Sequence, residues 1–378
     1  MPDLVTTASS DAPTPRFAVI MAGGRGERFW PVSRERTPKQ LVTLLGTRSF
    51  LQATVDRILP IVPAENILVI TNAVQSAEVC RQLPELPAAN VIAEPCGRDT
   101  CAAVGLAAAV VGARSESAVM AVLPADHVIP NVDAFQRVLL DAFCVAESEP
   151  AIVTIGIQPT EPATGYGYIQ VGAPRSDSGV RTPVNQVVRF VEKPPKEKAE
   201  EYLRSGAYRW NAGMFIWSYR TIAEGLRQHQ PVIWSACEGW QRAARSPETL
   251  AAVLAREYPT IPKISIDYAL MEHARNVCVV DGAFGWDDLG AWTALARHLQ
   301  SDSAGNCAVG DLVSVDAARN IVFDARTRNR TPITLVGVSD VICVQTDDAV
   351  LIASKSDSQK IKDLVKLLGA DPRFKHLV

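Results

Sequence analysis

Four short apolar runs constrain the fold of this chain more strongly than any other feature. The runs are continuous rather than alternating, which indicates strands that are buried on both faces, as in a mainly parallel sheet. They span residues 17–21, 66–71, 119–124 and 151–156. Helices are predicted at residues 49–58, 100–113 and 131–146, with Asp99 or Thr100 capping the second. This alternation predicts a doubly wound, Rossmann-like α/β domain that binds ligands at the carboxyl ends of its strands.

The predicted secondary structure changes after about residue 300. Short strands separated by turn residues are predicted at residues 311–316, 320–324, 333–337, 340–345 and 348–353. Residues 356–369 then predict a capped amphipathic helix that ends at Gly369. Closely spaced short strands indicate a small β-rich unit with a β-helix-like coil. We therefore divide the chain into a disordered leader (1–16), an α/β domain (17–300) and a C-terminal β-rich domain (301–378).

Composition and charge exclude several classes of protein. The chain of 378 residues is long enough for two domains, and its net charge of −3 with no basic stripe argues against nucleic-acid binding. Apolar stretches such as residues 101–113 are too short to span a membrane. The eight cysteines include no CxxC pair, and the N-terminus has no secretory signal. We expect a cytoplasmic protein with reduced thiols that binds neither nucleic acid nor membranes.

The loop at residues 22–40 follows the first apolar run and contains three glycines, four arginines and a lysine. Glycines let a backbone expose its N–H groups, and cationic side chains beside such groups bind phosphate. A Walker A loop would need lysine after Gly26, and a dinucleotide fingerprint would need glycine where Phe29 stands. We predict that this loop wraps a phosphate chain and that Arg28 and Lys39 neutralise its charge. A solvated surface turn is the alternative for a loop of this composition.

Two acidic segments are predicted near this loop. Asp126 follows the run at residues 119–124 and so lies at the ligand-binding edge of the sheet, while residues 286–292 (WDDLGAW) supply further carboxylates. Two carboxylates together with phosphate oxygens suit Mg²⁺, which takes hard oxygen ligands. An aspartate after a strand is also a common helix cap. His127 has no second histidine or cysteine at metal spacing, so we expect it to be structural.

Eight motifs occur in the order found in mannose-1-phosphate guanylyltransferases, which are sugar nucleotidyltransferases. They are AGGRGERFWPVSRERTPKQ, EPCGRDTCAAVGLAA, VLPADH, GYGYI, FVEKP, WNAGMFIW, SIDYALME and WDDLGAW. The resemblance covers residues 17–368 and is to the short, monofunctional bacterial form. It implies transfer of GMP from GTP to α-D-mannose 1-phosphate, which yields GDP-mannose and pyrophosphate, with Mg²⁺ as cofactor. We also expect a homodimer.

The resemblance also implies a role for each matching residue. The implied catalytic residues are Arg28, Lys39 and Lys193. The implied nucleotide-binding residues are Ala22, Gly23, Gly24, Gly26, Glu94, Gly97 and Asp99. The implied sugar-phosphate-binding residues are Gly165, Glu192, Lys193, Asn211 and Gly213. The implied Mg²⁺ ligands are Asp126 and Asp288, with Asp287 as a neighbour of the site.

One motif departs from the family pattern. Asp99 stands where the family usually has asparagine, in a segment that lies near the base in relatives. Its carboxylate either caps the following helix or accepts hydrogen bonds from guanine, for which Glu94 is the other candidate. Tyr166 and Tyr168 either flank the sugar or fill the sheet.

Two other functions compete with the one implied. The same chemistry with another nucleotide or sugar is one, and a catalytically silent nucleotide-binding subunit is the other. Silent relatives usually lose the carboxylates or lysines of the site, and this chain keeps Arg28, Lys39, Asp126, Lys193 and Asp288.

Overall fold

A nine-stranded sheet forms the centre of the protein, whose computed structural model describes residues 13–24, 26–176 and 179–378. Most of the predicted leader, at residues 1–12, lies outside the described residues. The strands are β1 (Arg16–Ala22), β2 (Ile67–Asn72), β3 (Val91–Glu94), β4 (Val119–Pro124), β5 (Ile152–Ile157), β6 (Tyr168–Arg175), β7 (Val184–Val191), β8 (Tyr208–Ser218) and β9 (Val277–Asp281). Their order is β3-β2-β1-β4-β8-β5-β9-β7-β6.

Seven of the nine strands run in the same direction, and only β7 and β8 oppose them. This confirms the predicted mainly parallel α/β sheet. Because β1 and β4 are parallel neighbours, their carboxyl ends at Ala22 and Pro124 meet at one edge. The glycine loop and Asp126 therefore leave the sheet side by side, as the sequence predicted.

Helices cover both faces of this sheet. They are α1 (Phe50–Ile58), α2 (Ser76–Gln82), α3 (Asp99–Arg114), α4 (Val132–Ser148), α5 (Lys196–Ser205), α6 (Tyr219–His229), α7 (Pro231–Ala243), α8 (Pro247–Glu257) and α9 (Trp292–Leu295). Ala18 and Ile20 of β1 pack in one core layer, whereas Phe17 and Val19 pack in the other. Burial on both faces explains why β1 reads as a continuous apolar run. None of the described helices is long and apolar enough to cross a membrane.

The N-terminal cap of α3 differs from the prediction. Ser49 and Gln52 form a capping box at α1, and the Asn131 side chain caps α4. The cap position of α3 is Arg98, and no side chain caps it in the usual way. The prediction of Asp99 or Thr100 as the cap is therefore wrong, because the helix begins one residue earlier than expected.

The C-terminal part of the chain winds as short strands without intervening helices, as predicted. These strands are β10 (Cys307–Val309), β11 (Leu312–Val315), β12 (Ile321–Asp324), β13 (Ile333–Val336), β14 (Val341–Gln345) and β15 (Val350–Ser354). Parallel pairing of β10, β12 and β14, and of β11 with β13, stacks successive turns of chain as in a β-helix. The positions of the domain boundaries remain predictions.

A final helix, α10 (Ile361–Ala370), follows a 3₁₀ turn at Lys355–Lys360. The predicted end at Gly369 is wrong by one residue, because Gly369 continues the helix instead of adopting the left-handed conformation of a glycine cap. The chain then folds back, so that a Cβ on Gly369 would lie 3.5 Å from the Val378 side chain.

Candidate functional site

The glycine loop is held by the buried side chain of Gln40. Its amide Nε2 donates to the carbonyl oxygens of Ala22, at 2.8 Å, and of Gly24, at 3.0 Å. Gly26 has a φ of +62°, and a Cβ there would lie 2.6 Å from the Cβ of Lys39. Glycine is therefore required at this position on both conformational and steric grounds. Arg25 lies outside the described residues.

Lys39 lies on the floor of the cleft that this loop borders, with only 4% of its surface exposed. Its ammonium donates to Asp126 Oδ2 at 2.8 Å and to the backbone oxygen of Asp288 at 2.5 Å. The ring centre of Phe50 lies 5.5 Å from the same ammonium. The structure thus brings together three residues that are far apart in sequence and that the resemblance had assigned to one centre.

The two carboxylates have different electrostatic surroundings. Burial acts to raise the pKa of Asp126, but the positive charge of Lys39 and the hydrogen bonds to this carboxylate outweigh the effect of burial and hold the pKa below its ordinary value. Burial raises the pKa of Asp288, although the Tyr166 hydroxyl donates to its Oδ1 at 2.8 Å and opposes the rise. From the sequence, Tyr166 was expected either to flank the sugar or to fill the sheet; in the structure its hydroxyl orients this carboxylate.

Asp287 has a separate, structural set of partners. Its buried carboxylate accepts from the backbone N–H of Leu289 at 2.8 Å and from Arg297 at 2.9 and 3.0 Å. It also lies 2.9 Å from His298 Nε2. These contacts fix the turn in which Leu289 has a φ of +45°, and so they fix the neighbouring Asp288. The expectation that Asp287 is a neighbour of the site agrees with this geometry.

The histidine beside Asp126 is engaged in packing. His127 Nδ1 accepts from the Trp286 indole at 3.1 Å, and burial lowers the pKa of this histidine to about 4. A neutral ring that accepts from tryptophan is a structural element, which agrees with the expectation from the sequence.

A cavity of about 430 Å³ opens above Lys39 and is lined by Gly26, Arg28, Asp126 and Asp288. The Arg28 guanidinium donates to the backbone oxygen of Gly290 at 3.0 Å. We call this cavity the phosphate cleft. Among the described residues, no group of three or more His, Cys, Asp or Glu side chains could hold a metal ion. Two carboxylates suit Mg²⁺ that completes its shell with phosphate oxygens and water.

A second cavity, of about 410 Å³, lies on the other side of the glycine loop. It is lined by five of the predicted nucleotide-binding residues, which are Gly23, Gly24, Glu94, Gly97 and Asp99. Apolar side chains such as Val104 and Phe215 complete its walls. The glycine loop therefore borders both cavities. Gly213, predicted on the sugar side, also lines this second cavity.

Glu94 is the buried acidic group of the second cavity. Burial raises the pKa of Glu94 to about 7, although a hydrogen bond from the Tyr258 hydroxyl acts in the opposite direction. A Cβ on Gly23 would lie 3.2 Å from the Glu94 carboxylate, so the glycine lets the loop pass close to it. The resulting carboxyl is poised between its neutral and charged forms near pH 7.

The departure at Asp99 has a local explanation. Asp99 is exposed, has a φ of +67° and accepts a hydrogen bond from the N–H of Thr100 at 2.8 Å. The Nε of neighbouring Arg98 is buried and has no hydrogen-bond partner in the part of the chain that the structure describes. The hydrogen bond from Thr100 engages the Asp99 carboxylate at the start of α3, where a negative charge is favourable.

Of the predicted sugar-phosphate residues, Gly213 lines the second cavity, and Asn211 contacts Asp267, which lines the same cavity. Lys193 has a φ of +43°, and its exposed side chain forms an ion pair with Glu192. Asn211 accepts from the N–H of Gly213 at 3.0 Å and donates to Asp267 Oδ1 at 3.0 Å. Burial, followed by the charge of Glu192, raises the pKa of Asp267 to about 6.

Two glycines near these residues differ in their surroundings. A Cβ on Gly165 would meet nothing within 4 Å, whereas one on Gly167 would lie 2.7 Å from the Glu192 carboxylate. The close approach of Gly167 was missed from sequence although it lies in the quoted motif GYGYI.

The sheet, the glycine loop and the divided cleft are together typical of enzymes that transfer nucleotidyl groups. The chain belongs to the nucleotidyl transferase family, whose model matches residues 17–304. A second family model, described as the MannoseP isomerase/GMP-like beta-helix domain, matches residues 310–368.

Two relatives illustrate the similarity. Xanthan biosynthesis protein XanB of Xanthomonas campestris is 38% identical over 94% of this chain and 73% of its own length. Mannose-1-phosphate guanylyltransferase of Escherichia coli K12 is 38% identical over 96% of this chain and 75% of its own length. A crystal structure from Thermus thermophilus, described as a mannose-1-phosphate geranyltransferase, is 36% identical with a TM-score of 0.81 and covers 94% of this chain and 99% of that chain.

Proposed function

We propose that this protein is a mannose-1-phosphate guanylyltransferase, which transfers GMP from GTP to α-D-mannose 1-phosphate and releases pyrophosphate. The observation that carries the proposal is the contact of Lys39 with both Asp126 and Asp288 beside the glycine loop. The guanylyltransferase relative from Escherichia coli supports the choice of substrates. We further propose that the protein acts in the cytoplasm as a homodimer.

In this proposal the two anionic substrates lie in line in the cleft. A phosphate oxygen of mannose 1-phosphate attacks the α-phosphorus of GTP, a new P–O bond forms, and the bond to pyrophosphate breaks. No covalent enzyme intermediate is required, because the sugar phosphate is itself an anionic nucleophile. The protein therefore accelerates the reaction by orienting the substrates and stabilising the charge that develops.

The residues of the phosphate cleft hold the nucleotide phosphates. Ala22 and the three glycines present their backbone to the phosphate chain, and Arg28 and Lys39 contribute positive charge. Mg²⁺, held by Asp126 and Asp288, would supply further neutralisation of the triphosphate when bound. Guanine occupies the second cavity, where Glu94 and Gly97 lie near the base.

The sugar phosphate approaches from the side of Lys193. Its ammonium is exposed and pairs with Glu192, so it can exchange that carboxylate for a phosphate at small cost. Glu192, Asn211 and the backbone at Gly165 and Gly213 then contact the sugar. This arrangement separates the lysine of the nucleotide, Lys39, from the lysine of the sugar phosphate.

Product analysis tests the proposal directly. The protein is incubated with Mg²⁺, the four common nucleoside triphosphates and a mixture of sugar 1-phosphates, and the products are identified by mass spectrometry. We expect GDP-mannose as the dominant nucleotide sugar. A different dominant nucleotide sugar would mean that the protein uses another nucleotide or another sugar phosphate. No nucleotide sugar at all would favour a catalytically silent subunit.

A further inference from the structure

The C-terminal helix contributes a side chain to the phosphate cleft. Lys362, near the start of α10, lines the same cavity as Arg28 and Lys39 although it is more than 300 residues away from them in sequence. The side chain is exposed, and its ammonium forms no hydrogen bond or ion pair within the described chain. No motif used to recognise the family includes this residue.

Packing fixes Lys362 relative to the glycine loop. The preceding residue, Ile361, is buried in a hydrophobic cluster that also contains Phe29 and Trp30 from the loop. Helix α10 packs directly on the turn Glu27–Phe29, which carries Arg28. The Trp30 indole also donates to the backbone oxygen of Leu377 at 2.8 Å. Lys362 and Arg28 therefore belong to segments that pack directly against each other.

The other two Lys and Arg side chains among the described residues that line the cleft already have partners in the protein. Lys39 contacts Asp126 and Asp288, and Arg28 donates to a backbone oxygen. A triphosphate brings several negative charges beside these carboxylates, so a cation without a protein partner gains most from binding it. Lys362 is such a cation among the described residues that line the cleft.

The direction of the loop indicates which phosphates Lys362 meets. Gly23 and Gly24 border the second cavity, whereas Gly26 and Arg28 border the phosphate cleft together with Lys362. A nucleotide with its base in the second cavity extends its phosphates along this path, and the β- and γ-phosphates lie farthest from the base. We propose that Lys362 binds these two phosphates and hence the pyrophosphate product, an inference that rests on the proposed function.

Binding of inorganic pyrophosphate tests this inference without requiring turnover. We expect Lys362→Ala to raise the dissociation constant of pyrophosphate, measured by calorimetry with Mg²⁺ present, by about two- to fivefold, the loss expected for one exposed charge pair. Lys362→Arg should keep most of the affinity. Lys360→Ala is the matched control, because that exposed ammonium pairs with Asp357 at 2.6 Å instead.

Steady-state kinetics provide a second measurement on the same variants. Lys362→Ala should raise the KM for GTP and weaken product inhibition by pyrophosphate, while the KM for mannose 1-phosphate changes by less than about twofold. Pyrophosphate affinity equal to that of the wild type, or an equal effect of Lys360→Ala, overturns the inference. If the wild type makes no GDP-mannose, the proposed function fails, and the calorimetry still decides whether Lys362 binds pyrophosphate.

Discussion

Replacing Lys39 with methionine removes the buried charge at the centre of the cleft while it keeps the length of the side chain. Lys39 has 5% of its side chain exposed and its partner Asp126 has 37%, so the pair is buried on one side only. Breaking a fully buried pair costs about 3–5 kcal/mol, and water around Asp126 reduces this, so we expect a loss of about 1–2 kcal/mol. The melting temperature should fall by roughly 1–3 °C, because the unfolding entropy of a chain of this length is large.

The same substitution should impair catalysis far more than stability. Loss of one preorganised group that stabilises transition-state charge typically costs about 10²–10³ in rate. We therefore expect kcat/KM for GTP to fall by at least about 10², which corresponds to about 3 kcal/mol. GTP binding measured by calorimetry should weaken as well, because Lys39 acts on the bound nucleotide.

Thermal unfolding and initial rates of pyrophosphate release measure the two effects. The double variant Lys39→Met/Asp126→Asn completes a cycle, and we expect its loss of stability to be smaller than the sum of the single losses. Lys198→Met is the matched control, because Lys198 pairs with Glu201 at the same distance of 2.8 Å but on the exposed surface. The reasoning is refuted if Lys39→Met has the melting temperature of the wild type and a kcat/KM within about threefold of the wild-type value.

Further substitutions separate the remaining roles. Lys193→Ala should raise the KM for mannose 1-phosphate about tenfold and leave that for GTP within about twofold, and equal changes in initial-rate experiments would contradict the assignment. Asp126→Ala should lower kcat by about 10² or more, whereas full activity of the variant or of wild type in EDTA would exclude the metal role. Asp99→Asn should leave the GTP/ATP ratio of kcat/KM nearly unchanged, and a fall of more than about tenfold would move Asp99 into the base pocket. Burial raises the pKa of Glu94 to about 7 in the folded protein, so between its ordinary pKa and pH 7 the folded state keeps a proton that the unfolded chain has lost. The free energy of unfolding of the wild type should therefore fall as the pH rises from about 4.5 to 7. From pH 5 to pH 8 in thermal unfolding, the wild type should lose about 2–3 kcal/mol relative to Glu94→Gln. Parallel stability curves for the two proteins would show that the pKa of Glu94 is not raised.

The strands that the sequence predicted are those buried on both faces. Strands β1, β2, β4 and β5 read as continuous apolar runs because helices cover both sides of them. Strand β7 was missed because it is partly exposed, with Val188 60% accessible near its middle. Strand β8 was missed for a different reason, since it inserts between β4 and β5 although it follows both in sequence. Pairing at such separations leaves no local pattern to detect.

The candidate site was likewise predicted where its position follows from nearby sequence, and it was missed where segments distant in sequence meet. The glycine loop and Asp126 were predicted to meet because each directly follows a buried parallel strand. The hydrogen bond from Tyr166 to Asp288 and the presence of Lys362 in the cleft depend on contacts between distant segments. From the sequence, Tyr166 was expected either to flank the sugar or to fill the sheet, because a local motif does not show which distant carboxylate a tyrosine hydroxyl contacts.

The loop that carries Arg28 and Lys39 has little regular structure of its own. Between β1 and α1, the described residues form only two short 3₁₀ turns, Glu27–Phe29 and Lys39–Leu41. A segment of this kind is rigid only if neighbouring elements hold its side chains in place. The conformation of the loop therefore depends on what packs against it.

The C-terminal unit provides that support. Phe29 and Trp30 are buried in a cluster with Trp292 and with Ile321 and Phe323 of β12, and the ring centres of Phe29 and Trp292 lie 5.1 Å apart. An ion pair between Arg34 and Asp348, with one contact at 2.8 Å, joins the far end of the loop to the turn before β15. Because the phosphate cleft needs its cations fixed before the substrates arrive, the β-helix-like unit acts as a structural wall of the cleft.

Truncation of Phe323 to alanine tests this supporting role. The side chain is buried against the ring of Trp292, at 5.2 Å between ring centres, so its loss should cost about 3–5 kcal/mol of stability. If the cluster positions Arg28, kcat/KM for GTP should also fall, at a temperature where circular dichroism shows the variant to be folded. Val313→Ala on β11 is the control, because Val313 is exposed and should change neither quantity. A folded Phe323→Ala protein with the kcat/KM of the wild type would mean that the C-terminal unit adds stability alone and leaves the cations of the cleft where they are.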